Sequence, residues 1–130
     1  MSLKQAIICV DDESIILLSL KQELMTHFGS RYIIETAMNA DIALKIINEL
    51  DNEGITINLI LSDWLMPGIK GDEFLKIVKT NHPEIKCIIL SGHADEKVVN
   101  EIKDQINLLA YISKPWNSQE LIKLISNAVN

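Results

Sequence analysis

Cysteine is scarce in this chain. Of the 2 present, Cys9 and Cys87 each lie inside an apolar run, without a Cys-x-x-Cys or His-rich context. That argues against a disulfide framework, a redox pair or a thiolate zinc site, and leaves both thiols as small core residues. Clusters of Lys and Arg are also missing, and the formal charge is -6 with a pI near 5.0. Binding nucleic acid by phosphate neutralisation needs such clusters, so no nucleic-acid partner is expected for this domain. Long hydrophobic runs are missing too, and the N-terminus lacks a basic stretch followed by an apolar secretory segment. The expectation is a cytoplasmic protein with no membrane association.

What is present is the balance of a globular domain: 130 residues, 48% hydrophobic and 23% charged. No linker, repeat or low-complexity tract divides the chain, so residues 1–130 read as a single domain with no second domain inside them.

Short strand-like runs alternate with longer helical patterns. Residues 5–10 are apolar, and Leu17, Leu20, Leu24 and Phe28 recur at helical spacing over 13–28, with Gly29 as the stop. A second strand is expected over 31–37. Asn39 can then cap a helix striped by Ile42, Ala43, Ile46, Ile47 and Leu50, closed by Asn52 to Gly54. Residues 56–62 are read as an apolar central strand covered on both faces. A turn at Pro67, Gly68 and Gly71 leads to a helix through Phe74, Leu75, Ile77 and Val78, ending near Asn81 to Pro83. Strands at 87–90 and 110–113 follow, each leading to a helix, the first through Val98, Val99, Ile102 and Ile106, the second through Leu121, Ile122, Ile125 and Val129. Five βα units of this kind build a doubly wound parallel sheet in three α/β/α layers, because right-handed crossovers place helices on both faces.

Polar signatures stand directly after four of these runs: Asp11 and Asp12, Asp63, Ser91, and Lys114. A parallel α/β sheet gathers the carboxyl ends of its strands on one edge, where ligands bind. Adjacent carboxylates such as Asp11 and Asp12 can hold a hard cation, Mg²⁺ or Mn²⁺, through oxygen and water, although an acidic residue there can equally cap the following helix. Asp63, on a tight loop with Trp64 to Gly68, can serve as a nucleophile toward phosphorus, or merely form the turn before Pro-Gly. Ser91 can donate to a phosphoryl oxygen with Gly92 admitting close backbone approach, and Lys114 can neutralise the same group, with Pro115 fixing the loop in cis or trans. Their bland readings are an ordinary Ser-Gly turn and a solvated surface lysine.

The ordered set DDE, SDWLMPG, LSG and SKPW resembles the receiver domain of two-component response regulators over essentially the whole chain. The resemblance implies a flavodoxin-like sheet of order 2-1-3-4-5 with five helices. It implies that Asp63 accepts a phosphoryl group from a sensor histidine kinase or histidine phosphotransfer protein. Asp11, Asp12, Asp63 and the backbone carbonyl of Leu65 would bind Mg²⁺. Ser91 would be the switch hydroxyl, Lys114 its ionic partner and Tyr111 the switch aromatic. Phosphorylation would change the face of the fourth helix, fifth strand and fifth helix toward an output domain or target, with homodimerisation as one readout. Leu65 and His93 stand where receivers vary, and are expected to set the acyl phosphate lifetime by gating water. Ser91 and Gly92 depart mildly from the commoner Thr and Ala.

Other readings weigh against this one. Tyr111 can be a half-buried core ring, and Trp64 and Trp116 simple covers of the site. His27 and His82 read as surface residues. A degenerate receiver would keep the fold as a phosphorylation-independent binding module, which the full residue set disfavours. A dedicated aspartate phosphatase is disfavoured because Asp63 is not in an Asp-x-Asp motif and no Gly-rich phosphate loop appears.

Overall fold

The computed structural model describes residues 4–92 and 96–129. Five strands, β1 (Gln5–Val10), β2 (Ile33–Ala37), β3 (Thr56–Ser62), β4 (Lys86–Ser91) and β5 (Leu108–Ser113), form one parallel sheet of order β2-β1-β3-β4-β5. The helices between and after them are α1 (Ser14–Phe28), α2 (Ala40–Asn52), α3 (Gly71–Asn81), α4 (Glu96–Ile102) and α5 (Ser118–Val129).

Side-chain alternation divides the core into two layers. One face of the sheet packs Ile7, Cys9, Leu59, Leu61, Ile88 and Leu90 against Leu17, Leu20, Leu24 and Phe28 of α1 and Leu121 and Ile125 of α5. The other packs Ile8, Val10, Ile60, Cys87 and Ile89 against Ala43 and Ile47 of α2, Phe74, Leu75 and Val78 of α3 and Val99 of α4. Burial of each large side chain stabilises the fold by about 1.5–3 kcal/mol. Both cysteines are buried in these layers as free thiols.

Helix ends follow the expected chemistry where side chains supply it. Asn39 accepts the N–H of Ile42 at 2.8 Å, and Asn117 accepts that of Glu120 at 3.0 Å, so an amide oxygen caps α2 and α5. Gly54, at φ 75°, ends the α2 turn in a conformation other residues resist.

Several boundaries differ from the sequence expectation. Residues Gly29–Arg31 form a 3₁₀ turn, so β2 starts at Ile33 rather than at residue 31. The fourth helix ends at Ile102 and tightens into a 3₁₀ turn over Lys103–Gln105. Ile106 is buried beyond it, while the side chains at 98 and 102 lie outside those described. In β5 the register jumps from Cys87↔Leu108 to Ile88↔Ala110. The extra residue, Leu109, is 43% exposed, and this bulge hides two strand residues from a period-2 reading. Asn58 is the matching irregularity in β3, inserted between Ala6↔Ile57 and Ile7↔Leu59, so the central strand is not apolar throughout. Its amide donates to Gln5 Oε1 at 2.7 Å.

Candidate phosphoryl site

The strand-end residues meet on the carboxyl edge of the sheet. Asp11 follows β1 and Asp63 follows β3, and the backbone N–H of Asp63 donates to the Val10 carbonyl at 2.9 Å, which locks the two loops together. Asp11 is 2% exposed and Asp63 3%, while Asp12 is exposed. One carboxylate oxygen from each of Asp11, Asp12 and Asp63 lies within 4.8 Å of the other two. Among the described residues this is the acidic group able to share a cation. The donors are all hard oxygens, and the exposure of Asp12 leaves room for the waters that Mg²⁺ retains, so the group fits that ion.

Backbone and side-chain donors orient these carboxylates. Asp11 Oδ1 accepts the Glu13 N–H at 2.9 Å, a bond to the residue before α1 that orients the carboxylate, and among the described residues no side chain caps that helix. Asp63 Oδ1 accepts the N–H of Trp64 at 2.7 Å, and the buried Ser62 hydroxyl donates to the Asp63 carbonyl at 2.9 Å. Lys114 reaches over from the end of β5 and donates to Asp11 Oδ2 at 2.6 Å, with Asp63 Oδ2 at 3.4 Å. The Lys114–Pro115 peptide is cis.

Burial raises the Asp11 pKa above the ordinary carboxyl value, and the charge of Asp63 adds to it. The bonds from Lys114 and the Glu13 N–H only partly offset this. For Lys114 burial alone would lower the pKa, but the bond to Asp11 and the charges of Asp11 and Asp63 outweigh it and the value rises. The ammonium is therefore charged at neutral pH.

Ser91 is fully buried at the end of β4. Its carbonyl receives the Lys114 N–H at 3.2 Å and the Tyr111 hydroxyl at 3.4 Å. Tyr111 is half-buried against the α2, α3 and α4 layer, opposite Ile89 in the neighbouring strand. Leu65 is 44% exposed beside Asp63, and His93 lies outside the described residues. Trp64 is buried in the core layer under the site, whereas Trp116 packs on the opposite layer and donates its indole N–H to Glu23. His27 is exposed and His82 half-buried.

Two contributions were not legible from motif reading. A Cβ on Gly71 would stand 2.4 Å from the Asp63 carbonyl oxygen and 2.8 Å from that of Trp64, so this glycine is the floor of the Asp63 loop rather than a mere turn residue. Its signal, a Gly opening a helix after Pro-Gly, was visible but ambiguous. Gly92 shows the reverse: among the described residues an added Cβ would meet only Lys114 Cβ, at an ordinary 3.9 Å, so no described neighbour requires glycine there. Glu23, in the middle of a helix, carried no signal at all.

Residues 7–126 match the family model of the response regulator receiver domain. The chain belongs to that family. It is 34% identical over 130 residues to the hydrogenase transcriptional regulatory protein HoxA of Cupriavidus necator, a match covering 99% of this chain and 25% of that regulator. It is 40% identical over 96 residues to a putative NtrX-like response regulator of Rickettsia typhi, covering 72% of this chain and 19% of the relative. The receiver thus spans about a quarter or less of the length of these relatives. Among solved structures, the CheY-like receiver domain protein of Methanospirillum hungatei superposes with a TM-score of 0.83 at 33% identity, covering 98% of this chain and 94% of that one. The receiver domain protein of Clostridium thermocellum gives 0.83 at 31% identity, covering 97% and 94%. Receiver domains are signalling modules of two-component systems rather than dedicated enzymes, and they work between sensor kinases and outputs. In this one, no described helix is long and apolar enough to cross a membrane.

Proposed function

We propose that this receiver is a phosphorylation-dependent switch that takes a phosphoryl group from a phosphohistidine onto Asp63. The observation that carries the reading is the meeting of Asp11, Asp12 and Asp63 within 4.8 Å, with Lys114 bonded into the same cluster. An Asp63 carboxylate oxygen forms the bond to phosphorus as the donor's P–N bond breaks, and the released imidazole takes up a proton. The Trp64 N–H holds the carboxylate in one orientation for that attack. Asp11, Asp12, Asp63 and the Leu65 carbonyl would hold Mg²⁺, which when bound would supply charge to offset repulsion between the carboxylates and the incoming phosphoryl oxygens. Lys114 neutralises the product from the β5 side.

Ser91 then reads the added group and Tyr111 follows, biasing the surface of α4, β5 and α5 between two states. Partners follow from that sequence of events: a sensor histidine kinase or a histidine phosphotransfer protein as donor, and an output domain or separate target on the switched face, with homodimerisation as one form of readout. Leu65 and His93 are the residues we assign to setting the lifetime of the acyl phosphate by gating water. The joint presence of the acidic group and Lys114 supports this reading over a phosphorylation-independent binding module.

The test is incubation with Mg²⁺ and acetyl phosphate, followed by intact mass, with a beryllofluoride titration read by tryptophan fluorescence. Wild-type protein gains one phosphoryl group and responds to beryllofluoride, and Asp63→Asn does neither. Equal labelling of the Asn variant overturns the assignment. Replacing Leu65 and His93 with small polar residues shortens or lengthens the dephosphorylation half-life; an unchanged half-life removes them from the mechanism.

A further inference from the structure

The loop between β5 and α5 carries Lys114, and it is held to the rest of the molecule in an unexpected way. Both carboxylate oxygens of Glu23, on α1, are engaged by that loop. Oε2 accepts the Trp116 indole N–H at 3.0 Å, and Oε1 accepts the hydroxyl of Ser118, the first residue of α5. Hydrogen bonds to an ionised acceptor are roughly twice as strong as neutral ones. At its other end the loop is tied by the Lys114 N–H to the Ser91 carbonyl at 3.2 Å.

Between these ties the loop's Trp116 is partly buried against the core layer of α1 and α5. Beside it opens a cleft of about 520 Å³, lined by Glu13, Ile16, Ser19, Glu23, Lys114 and Trp116 among others. The helix that provides Glu23 also begins directly after Asp11, Asp12 and Glu13. One rigid element therefore fixes the acidic loop at its start and the lysine loop farther along. The relative position of Lys114 and the carboxylates passes through α1.

We infer that Glu23 is a positioning residue for Lys114: by holding Trp116 and the start of α5 to α1, it keeps the ammonium where it meets the phosphoryl group on Asp63. This rests on the reading of Asp63 as phosphoacceptor. Glu23 itself touches no reacting atom.

The test measures the rate of Asp63 phosphorylation by acetyl phosphate at saturating Mg²⁺ in wild type, Glu23→Ala, Glu23→Gln and Trp116→Phe, with a thermal melt and the tryptophan indole N–H resonances of each. Glu23→Ala and Trp116→Phe are expected to slow the reaction about tenfold, inside the range that remote misplacement of a reacting group can cost. Glu23→Gln keeps an acceptor oxygen and recovers most of the rate. The Trp116 indole resonance shifts in Glu23→Ala and returns toward its wild-type position in Glu23→Gln. The Glu23→Ala/Trp116→Phe double variant is no slower than either single one, because both remove the same contact. A lowered melting temperature with a wild-type rate in Glu23→Ala makes the residue structural and overturns the inference. If Glu23→Ala does not fold, Trp116→Phe, which keeps an aromatic ring and loses only the N–H, decides by the same criterion. No phosphorylation of wild type overturns the Asp63 reading and this inference together, whereas normal wild-type labelling with unaffected variants overturns this inference alone.

Discussion

Lys114 is bonded to Asp11, not chiefly to Asp63: its ammonium stands 2.6 Å from Asp11 Oδ2 and 3.4 Å from Asp63 Oδ2. In the proposed switch Lys114 would neutralise a carboxylate that is also offered to Mg²⁺, so ammonium and metal would compete for one oxygen cluster, and a dianionic phosphoryl group on Asp63 would then be the stronger attractor.

The competition predicts opposite effects from a single substitution. Lys114→Met should tighten Mg²⁺ binding severalfold, because no ammonium opposes the second positive charge, and should lower the phosphorylated fraction at a fixed donor concentration. A Mg²⁺ titration by tryptophan fluorescence and intact-mass labelling measure the two. Weaker Mg²⁺ binding in the variant would contradict the arrangement.

Mg²⁺ should stabilise the fold by mass action. At ten times its Kd the gain is about 1.4 kcal/mol, or about 5 °C in Tm for a domain of this size. Asp11→Asn is expected to abolish that shift and to raise the metal-free Tm. The sign follows from the raised Asp11 pKa: the folded state favours the protonated carboxyl, so the charged form costs stability near neutral pH, and that cost shrinks as pH falls below the folded value and is gone at the ordinary value of the unfolded chain. A metal-free melt below wild type would show the carboxylate to be net stabilising instead.

Two glycine substitutions should separate sharply. Gly71→Ala forces a methyl to 2.4 Å from the Asp63 carbonyl, so the loop must move, at about 1–3 kcal/mol and with loss of Asp63 phosphorylation. Gly92→Ala meets ordinary contact distances and should change the urea midpoint little. Equal midpoints for both variants would remove Gly71 from the site.

Burial pushes the thiols of Cys9 and Cys87 from 9.0 up to about 12. Neither should react with iodoacetamide at pH 8 until the protein unfolds, making alkylation a measure of global opening. Above pH 9.0 the unfolded thiols ionise and the folded ones do not. Stability therefore falls with rising pH, by about 1.4 kcal/mol per pH unit for each thiol until the folded value is reached. The raised pKa of Lys114 acts in the same direction, since its contribution is complete below its ordinary value and is lost as pH rises through the folded one. A urea midpoint that stays constant from pH 8 to about 11 would show that the thiols are not sealed.

Element order and the two-layer core were legible because they depend on local periodicity. Leu17, Leu20, Leu24 and Phe28 repeat at helical spacing wherever the helix docks, and the apolar runs before Asp11, Asp63 and Ser91 need both faces covered to be stable. The strand-end position of each polar residue follows from that order, since parallel strands share one carboxyl edge. Boundaries were less legible at Asn58 and Leu109, where a bulge breaks the period that reveals a strand.

Distances between segments remote in sequence belong to the tertiary structure alone. The Lys114–Asp11 contact joins residues 103 apart, and the Trp116–Glu23 contact joins residues 93 apart. A side chain's own neighbours in the chain carry no information about which oxygen it will meet across the sheet edge. The residue types of the site, their order and their edge could be read from one strand at a time. That Lys114 rests on Asp11 and that Glu23 meets the lysine loop were decided only when packing of α1, the sheet and α5 brought those atoms to bonding distance, and that Gly71 supports Asp63 was decided by how α3 folds back under its own loop.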